Sequence, residues 1–183
     1  MTHATAEELE AGVDWVRASP REEGVVDMIV RRPGVDEREV LEEAELDLVE
    51  GVVGDGWSGR GSGRTADGSA HPGMQVTLMN SRVAELVARE RRRWALAGDQ
   101  LYVDLDLSAE NLPAGTRLAV GSAELEVTEE LHAGCAKFTA RFGSAAIRFV
   151  NGPGGRELRL RGMYARVVVP GTVRRGDPIR RLG

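Results

Sequence analysis

The feature that most constrains this chain is a succession of short apolar or alternating runs, each closed by glycine or proline. Val25-Val26-Asp27-Met28-Ile29-Val30 reads as a buried strand that ends at Arg31-Arg32-Pro33-Gly34. Residues 74–79 are strand-like. After Gln100, Leu101, Val103, Leu105 and Leu107 fall on one side, with Tyr102, Asp104 and Asp106 on the other, the pattern of a half-buried strand. Residues 117–120 and 124–128 repeat it around Gly121-Ser122, which predicts a hairpin. Residues 157–161, 165–169 and 172–174 complete the series. Short strands bury an apolar face only by packing sheet on sheet or by closing into a barrel, so the expectation is a mainly β domain of one of these kinds.

The helical signals are fewer. Thr5 and Glu8 have the spacing of a capping box, and Leu9, Val13 and Val16 follow at helical spacing until Ser19-Pro20. Residues 1–20 are expected to be a helical extension, and 21–183 the main domain. Asp36 and Glu39 at capping spacing, with Val40, Leu41 and Ala44, predict a helix over 36–44 whose Glu42-Glu43 face is solvated. Another helix is expected from Asn80-Ser81, with a stripe of Val83, Leu86, Val87 and Trp94. Arg91-Arg92-Arg93 would fall in its last turns before Gly98, where cations suit the helix dipole. Residues 144–150 suit one or two helical turns.

With 183 residues and 42% hydrophobic content, one sizeable core and one domain are the default. A net charge of −5 and a pI near 5.4 argue against a general binder of nucleic acid or anionic membranes, so any anion site must be local. No apolar run is long enough to cross a bilayer, and the N-terminus lacks a basic-then-apolar signal. A lone cysteine cannot form an internal disulfide, and a reducing compartment suits its free thiol. A soluble cytoplasmic protein is the expectation.

That cysteine, Cys135, has His132 three positions before it and Lys137 and Arg141 within six positions after it. Thiols react and bind metals as thiolates, which nearby positive charge favours. The competing reading is a small buried apolar side chain. Upstream, residues 54–73 are rich in glycine, serine and arginine. Backbone N–H groups there, with Arg60 or Arg64, suit an anion, although a surface loop has the same composition. The stretch lacks a Gly-Lys-Ser/Thr ending, so a nucleotide P-loop is not supported. Asp104 and Asp106 read as a solvent-facing strand edge rather than a metal pair.

The run His132-Ala133-Gly134-Cys135-Ala136-Lys137-Phe138, followed by Arg141-Phe142-Gly143, resembles the cysteine motif of MOSC domains, named for the C-terminal domain of molybdenum cofactor sulfurases. Three other stretches resemble the same family in order and spacing: Gly51-Val52-Val53-Gly54-Asp55-Gly56-Trp57, Glu110-Asn111-Leu112, and Arg161-Gly162-Met163-Tyr164-Ala165-Arg166-Val167 leading to Gly176-Asp177. Gly134 stands where many members have proline, which leaves the local backbone freer.

The resemblance implies a closed β-barrel of the MOSC type, related to the barrel domain of pyruvate kinase and carrying short peripheral helices. It implies that Cys135 binds the molybdenum of molybdenum cofactor or carries its sulfur, with His132 tuning the thiolate or relaying a proton. The cofactor is an anionic phosphorylated pterin dithiolene and calls for guanidinium and backbone N–H donors. Arg141 and Arg161 are the candidates, with Gly54, Asp55 and Asn111 as further cofactor-binding positions.

Two functional classes follow. One is an enzyme reducing N-hydroxylated compounds; the other is a non-catalytic sulfur-carrier or cofactor-delivery module. No ferredoxin-type cysteine set and no room for a pyridoxal-phosphate desulfurase are visible, so electrons or sulfur would come from a separate donor protein. A barrel without a cofactor is the third reading.

Overall fold

In the computed structural model, which describes residues 2–183, the alternating runs close on themselves. The described elements are, in order, α1 (Ala6–Ala11), α2 (Val13–Arg17), β1 (Glu23–Arg31), β2 (Glu39–Leu41), β3 (Glu43–Asp47), β4 (Gly51–Val52), β5 (Val76–Asn80), α3 (Ser81–Ala88), β6 (Leu101–Asp104), β7 (Arg117–Val120), β8 (Ala123–Val127), α4 (Ala136–Asn151), α5 (Pro153–Glu157), β9 (Met163–Val169), β10 (Gly171–Arg174) and β11 (Pro178–Arg181). Seven strands form a barrel in the order β11-β7-β8-β9-β5-β6-β1, and β1 pairs back to β11 with Glu23 opposite Arg180. All pairs in the ring are antiparallel except β5 with β6. Closure removes the exposed edges that an open sheet would leave.

Alternation along each strand sorts side chains between two cores. Val26, Ile29, Leu101, Val103, Leu118, Val120 and Leu125 point into the barrel. Met28, Val30, Met79 and Tyr102, on the other face, meet Val83, Val87, Phe138 and Phe142 from α3 and α4. Each such buried side chain contributes about 1.5–3 kcal/mol relative to exposure. A register shift between Val26 and Met28 lets β1 bend between its partners. The Gly121-Ser122 hairpin is present between β7 and β8, with Val120 opposite Ala123. The N-terminal capping box is present too: the Glu8 amide donates to Thr5 Oγ1 at 3.2 Å, and the Thr5 amide to Glu8 Oε2 at 2.7 Å.

Three local expectations are corrected. The helix over 36–44 does not form. Asp36 has a left-handed backbone (φ 61), and the following residues become β2, which folds back on the neighbouring β1, and β3, whose partner β10 comes from distant sequence. Cross-strand pairing overrides the local helical pattern there. The helix expected from Asn80-Ser81, α3, stops at Ala88, because Arg89 takes φ 63. The arginine triplet therefore lies in a separate 3-10 segment, Arg91–Ala97, where Arg91 stacks on Trp94 at 4.7 Å. Residues 157–161 are the end of α5 and a turn through Arg159 (φ 48), not a strand. The helical turns expected over 144–150 do form, as the part of α4 that follows its break at Gly143 (φ 90). Among the described residues, no helix is long and apolar enough to cross a membrane.

Candidate functional site

Two buried ion pairs organise one end of the molecule. Arg32, just past β1, donates from its backbone amide and Nε to Asp55 Oδ2 and from Nη2 to Oδ1, each at 2.9 Å; its Nη1 donates to the Gly98 carbonyl at 2.7 Å. Asp55 Oδ1 also accepts from the Trp57 amide at 2.9 Å and from Arg60 Nη2 at 3.2 Å. Burial pushes the Asp55 carboxyl up, but Arg32, the backbone N–H and Arg60 outweigh it and hold it below the usual range. Asp55 thus faces its own arginines and sets where Arg32 and Arg60 stand.

The second pair joins the turn before β9 to the segment before β6. Arg161 Nη1 donates to Asp99 Oδ2 at 2.6 Å and Nη2 to the Ala97 carbonyl at 2.8 Å, while its buried Nε has no partner. His132 lies beside this pair, with Nδ1 3.5 Å from Asp99 Oδ1 and its ring 4.5 Å from that of Tyr164, centroid to centroid. Burial holds the His132 pKa well below its ordinary value, and Arg161 and Arg32 add to the effect. Burial raises the Asp99 carboxyl against the pull of Arg161.

Arg32, Trp57, Arg60, His132, Arg161 and Tyr164 line one cavity of about 260 Å³. Three guanidinium groups here meet two buried carboxylates, Asp55 and Asp99, so the cavity carries surplus positive charge in a chain of net charge −5. This suits an anionic ligand with a flat, apolar part. A larger depression of about 380 Å³ lies between the α1–α2 and α4–α5 segments. Its ionisable residues Glu10, Arg17 and Arg148 are exposed, so the perturbed chemistry belongs to the smaller cavity.

The family model for the MOSC domain matches residues 69–180, more than half of the sequence. The chain belongs to the MOSC domain family. Its fold is similar to that of the YuaD protein from Bacillus subtilis, at TM-score 0.63 and 17% identity over 86% of this chain and 94% of that one. It is also similar to YiiM from Escherichia coli (TM-score 0.55, 18% identity, 87% and 70% covered) and to YiiM from Geobacillus stearothermophilus (0.54, 12%, 90% and 75%). None of the curated proteins matches it.

The residues expected at the site of this MOSC protein fall into three places. His132 and Arg161 line the cavity, and Asp55 stands behind it holding Arg32 and Arg60. Gly54 provides the turn before Asp55 with φ 78. Cys135 is exposed, at the start of α4 and outside the cavity lining, three residues beyond His132. The connecting backbone is pinned by Asn151, which accepts from the Gly134 amide at 2.8 Å and donates to its carbonyl at 3.1 Å. Lys137 and Arg141 both reach Asp36 Oδ1, at 3.0 and 2.7 Å, so both are directed to that one carboxylate. Arg141 also donates to the Leu96 carbonyl. Asn111 is fully buried, with its amide donating to the Arg21 and Asp106 carbonyls and accepting from Arg21 Nε. Sequence reasoning did not single out Arg32 or Asp99. The only local signal was a charged residue beside a Pro or Gly at the boundary of an apolar run.

Proposed function

We propose that this MOSC protein binds molybdenum cofactor, with Cys135 as the metal ligand, and reduces N-hydroxylated compounds using electrons from a separate protein. The observation that carries this reading is the surplus of guanidinium charge in the His132–Arg161 cavity, three residues from an exposed thiol. The donor set fits the cofactor. Arg161 Nε is buried without a partner, and Arg60 commits only Nε and Nη2 within the chain, so each retains a donor for an anionic group. Trp57 and Tyr164 supply walls for a planar heterocycle. Among the described residues no group of three His, Cys, Asp or Glu side chains could hold a metal ion, so a metal held by Cys135 would need other ligands, which a dithiolene supplies.

When bound, the cofactor supplies the two-electron redox centre. Reduction of an N–OH group breaks the N–O bond, consumes two electrons and two protons, and yields an amine and water. His132, kept neutral at the cavity wall, is the group placed to exchange a proton with a ligand there. The cytoplasm, where a free thiol persists, is the compartment this chemistry suits.

A second reading is favoured by the position of Cys135 on the surface rather than in the cavity lining: a sulfur carrier or cofactor-delivery module whose thiol meets another protein directly. The test is metal analysis of wild type and Cys135→Ala made in a host that synthesises the cofactor, followed by assay of an N-hydroxylated amidine with an electron donor. Stoichiometric molybdenum lost in the variant, with turnover, is the expected result. Molybdenum without turnover selects cofactor delivery; no molybdenum in either protein overturns the enzyme and delivery readings, and no persulfide on Cys135 then overturns the sulfur carrier.

A further inference from the structure

Asp99 Oδ1 and His132 Nδ1 are both buried, both lack a hydrogen-bond partner, and stand 3.5 Å apart. Leaving two such atoms unpaired is costly, and a single proton between them satisfies both. Burial works against the Asp99 charge, but its other oxygen accepts from Arg161 Nη1 at 2.6 Å, and that charge-assisted bond supports the carboxylate, with the shared proton on the imidazole. Gly162 keeps the approach open: with φ 105, it lies where a Cβ would sit 3.3 Å from His132 Nδ1 and 2.3 Å from the Leu78 carbonyl oxygen.

We propose that Asp99 is a positioning residue that holds His132 as the Nδ1–H tautomer, so that Nε2 presents a lone pair to the cavity and accepts a hydrogen bond from a ligand N–H or O–H. Arg32, Arg60 and Arg161 offer only donors to that cavity, so His132 adds a ring-nitrogen acceptor beside the guanidinium groups and favours a ligand that combines an anionic group with an N–H or O–H donor. This selectivity rests on the cavity being the ligand site; the tautomer does not. Burial also keeps the imidazole neutral, so the tautomer persists through neutral pH.

The test is nitrogen-15 NMR of the full, cofactor-free chain. It has three histidines, and His3→Gln and His71→Gln variants assign the His132 signals. The expected spectrum has Nδ1 in the pyrrole-type range and Nε2 in the pyridine-type range. In Asp99→Asn, Arg161 retains the carbonyl oxygen and the amide NH₂ turns to His132, so Nδ1 must accept and the pattern inverts. A wild-type spectrum showing Nε2–H or imidazolium overturns the proposal, as does an unchanged tautomer in a folded Asp99→Asn protein. If that variant does not fold, the wild-type spectrum alone decides. Absence of molybdenum from loaded preparations would overturn the cofactor reading while leaving this spectrum as it is, so the two failures are distinguishable.

Discussion

Arg32 and Asp55, separated by 23 positions, meet as a fork on a carboxylate, with Nε on Oδ2 and Nη2 on Oδ1, both at 2.9 Å. The Asp55 side chain is fully buried and that of Arg32 is 9% exposed. Neither charge therefore has water to fall back on. The pair joins the end of β1 to the glycine-rich segment and fixes Arg60 as well, so it sets the cavity wall as much as it stabilises the fold.

Asp55→Asn keeps the shape and removes the charge, leaving Arg32 buried and uncompensated. Breaking one side of such a pair costs about 3–5 kcal/mol. Urea unfolding of the cofactor-free protein should show a loss of that size; a loss below about 1 kcal/mol, the range of exposed pairs, would refute the buried-pair account.

Stability should depend on pH through His132. Its folded pKa lies well below the ordinary 6.5 while the unfolded chain titrates normally, so the unfolded state binds more protons as pH falls below about 6.5. The contribution is complete above that pH and is lost progressively below it, with a limiting slope of about 1.4 kcal/mol per pH unit. His132→Gln should remove this slope between about pH 6.5 and 5, measured as unfolding free energy against pH relative to wild type. Equal slopes in the two proteins would contradict a buried, neutral His132.

Gly162→Ala would force a side chain onto a left-handed backbone and against the Leu78 carbonyl. The backbone conformation alone costs about 1–3 kcal/mol, and the contact adds to it. Gly154→Ala is the control, since nothing lies within 4 Å of its added Cβ. The thermal midpoint should drop for the first and stay nearly constant for the second.

Cys135 is exposed, so a disulfide reagent should titrate one thiol per chain in the native protein, without denaturant. Reaction only after unfolding would place the sulfur inside. Protection that appears on loading with molybdenum would tie the thiol to the cofactor.

Much of the barrel was legible because alternation encodes which face of a strand is buried. Leu101 and Val103 point inward and Tyr102 outward, as their spacing requires. The Thr5 capping box and the Gly121-Ser122 hairpin were legible because their partners lie within a few residues. The helix misread over 36–44 shows the limit of that logic. Its spacing is helical, but β3 gains four backbone-paired positions with β10, from Glu43 opposite Arg174 to Leu46 opposite Gly171. Similarly, Arg141 stands near the cysteine in sequence yet spends its charge on Asp36, 105 positions away.

From residues alone came the apolar faces, the turns, the caps and the motif that names the family, all of them properties of neighbours along the chain. Barrel closure decided which charges meet: Arg32 with Asp55, Arg161 with Asp99 across 62 positions, and His132 against both arginines. The reason is electrostatic. An ionised side chain in the unfolded chain is screened by water and has no preferred partner, and only folding, by removing that water, turns a distant opposite charge into a requirement.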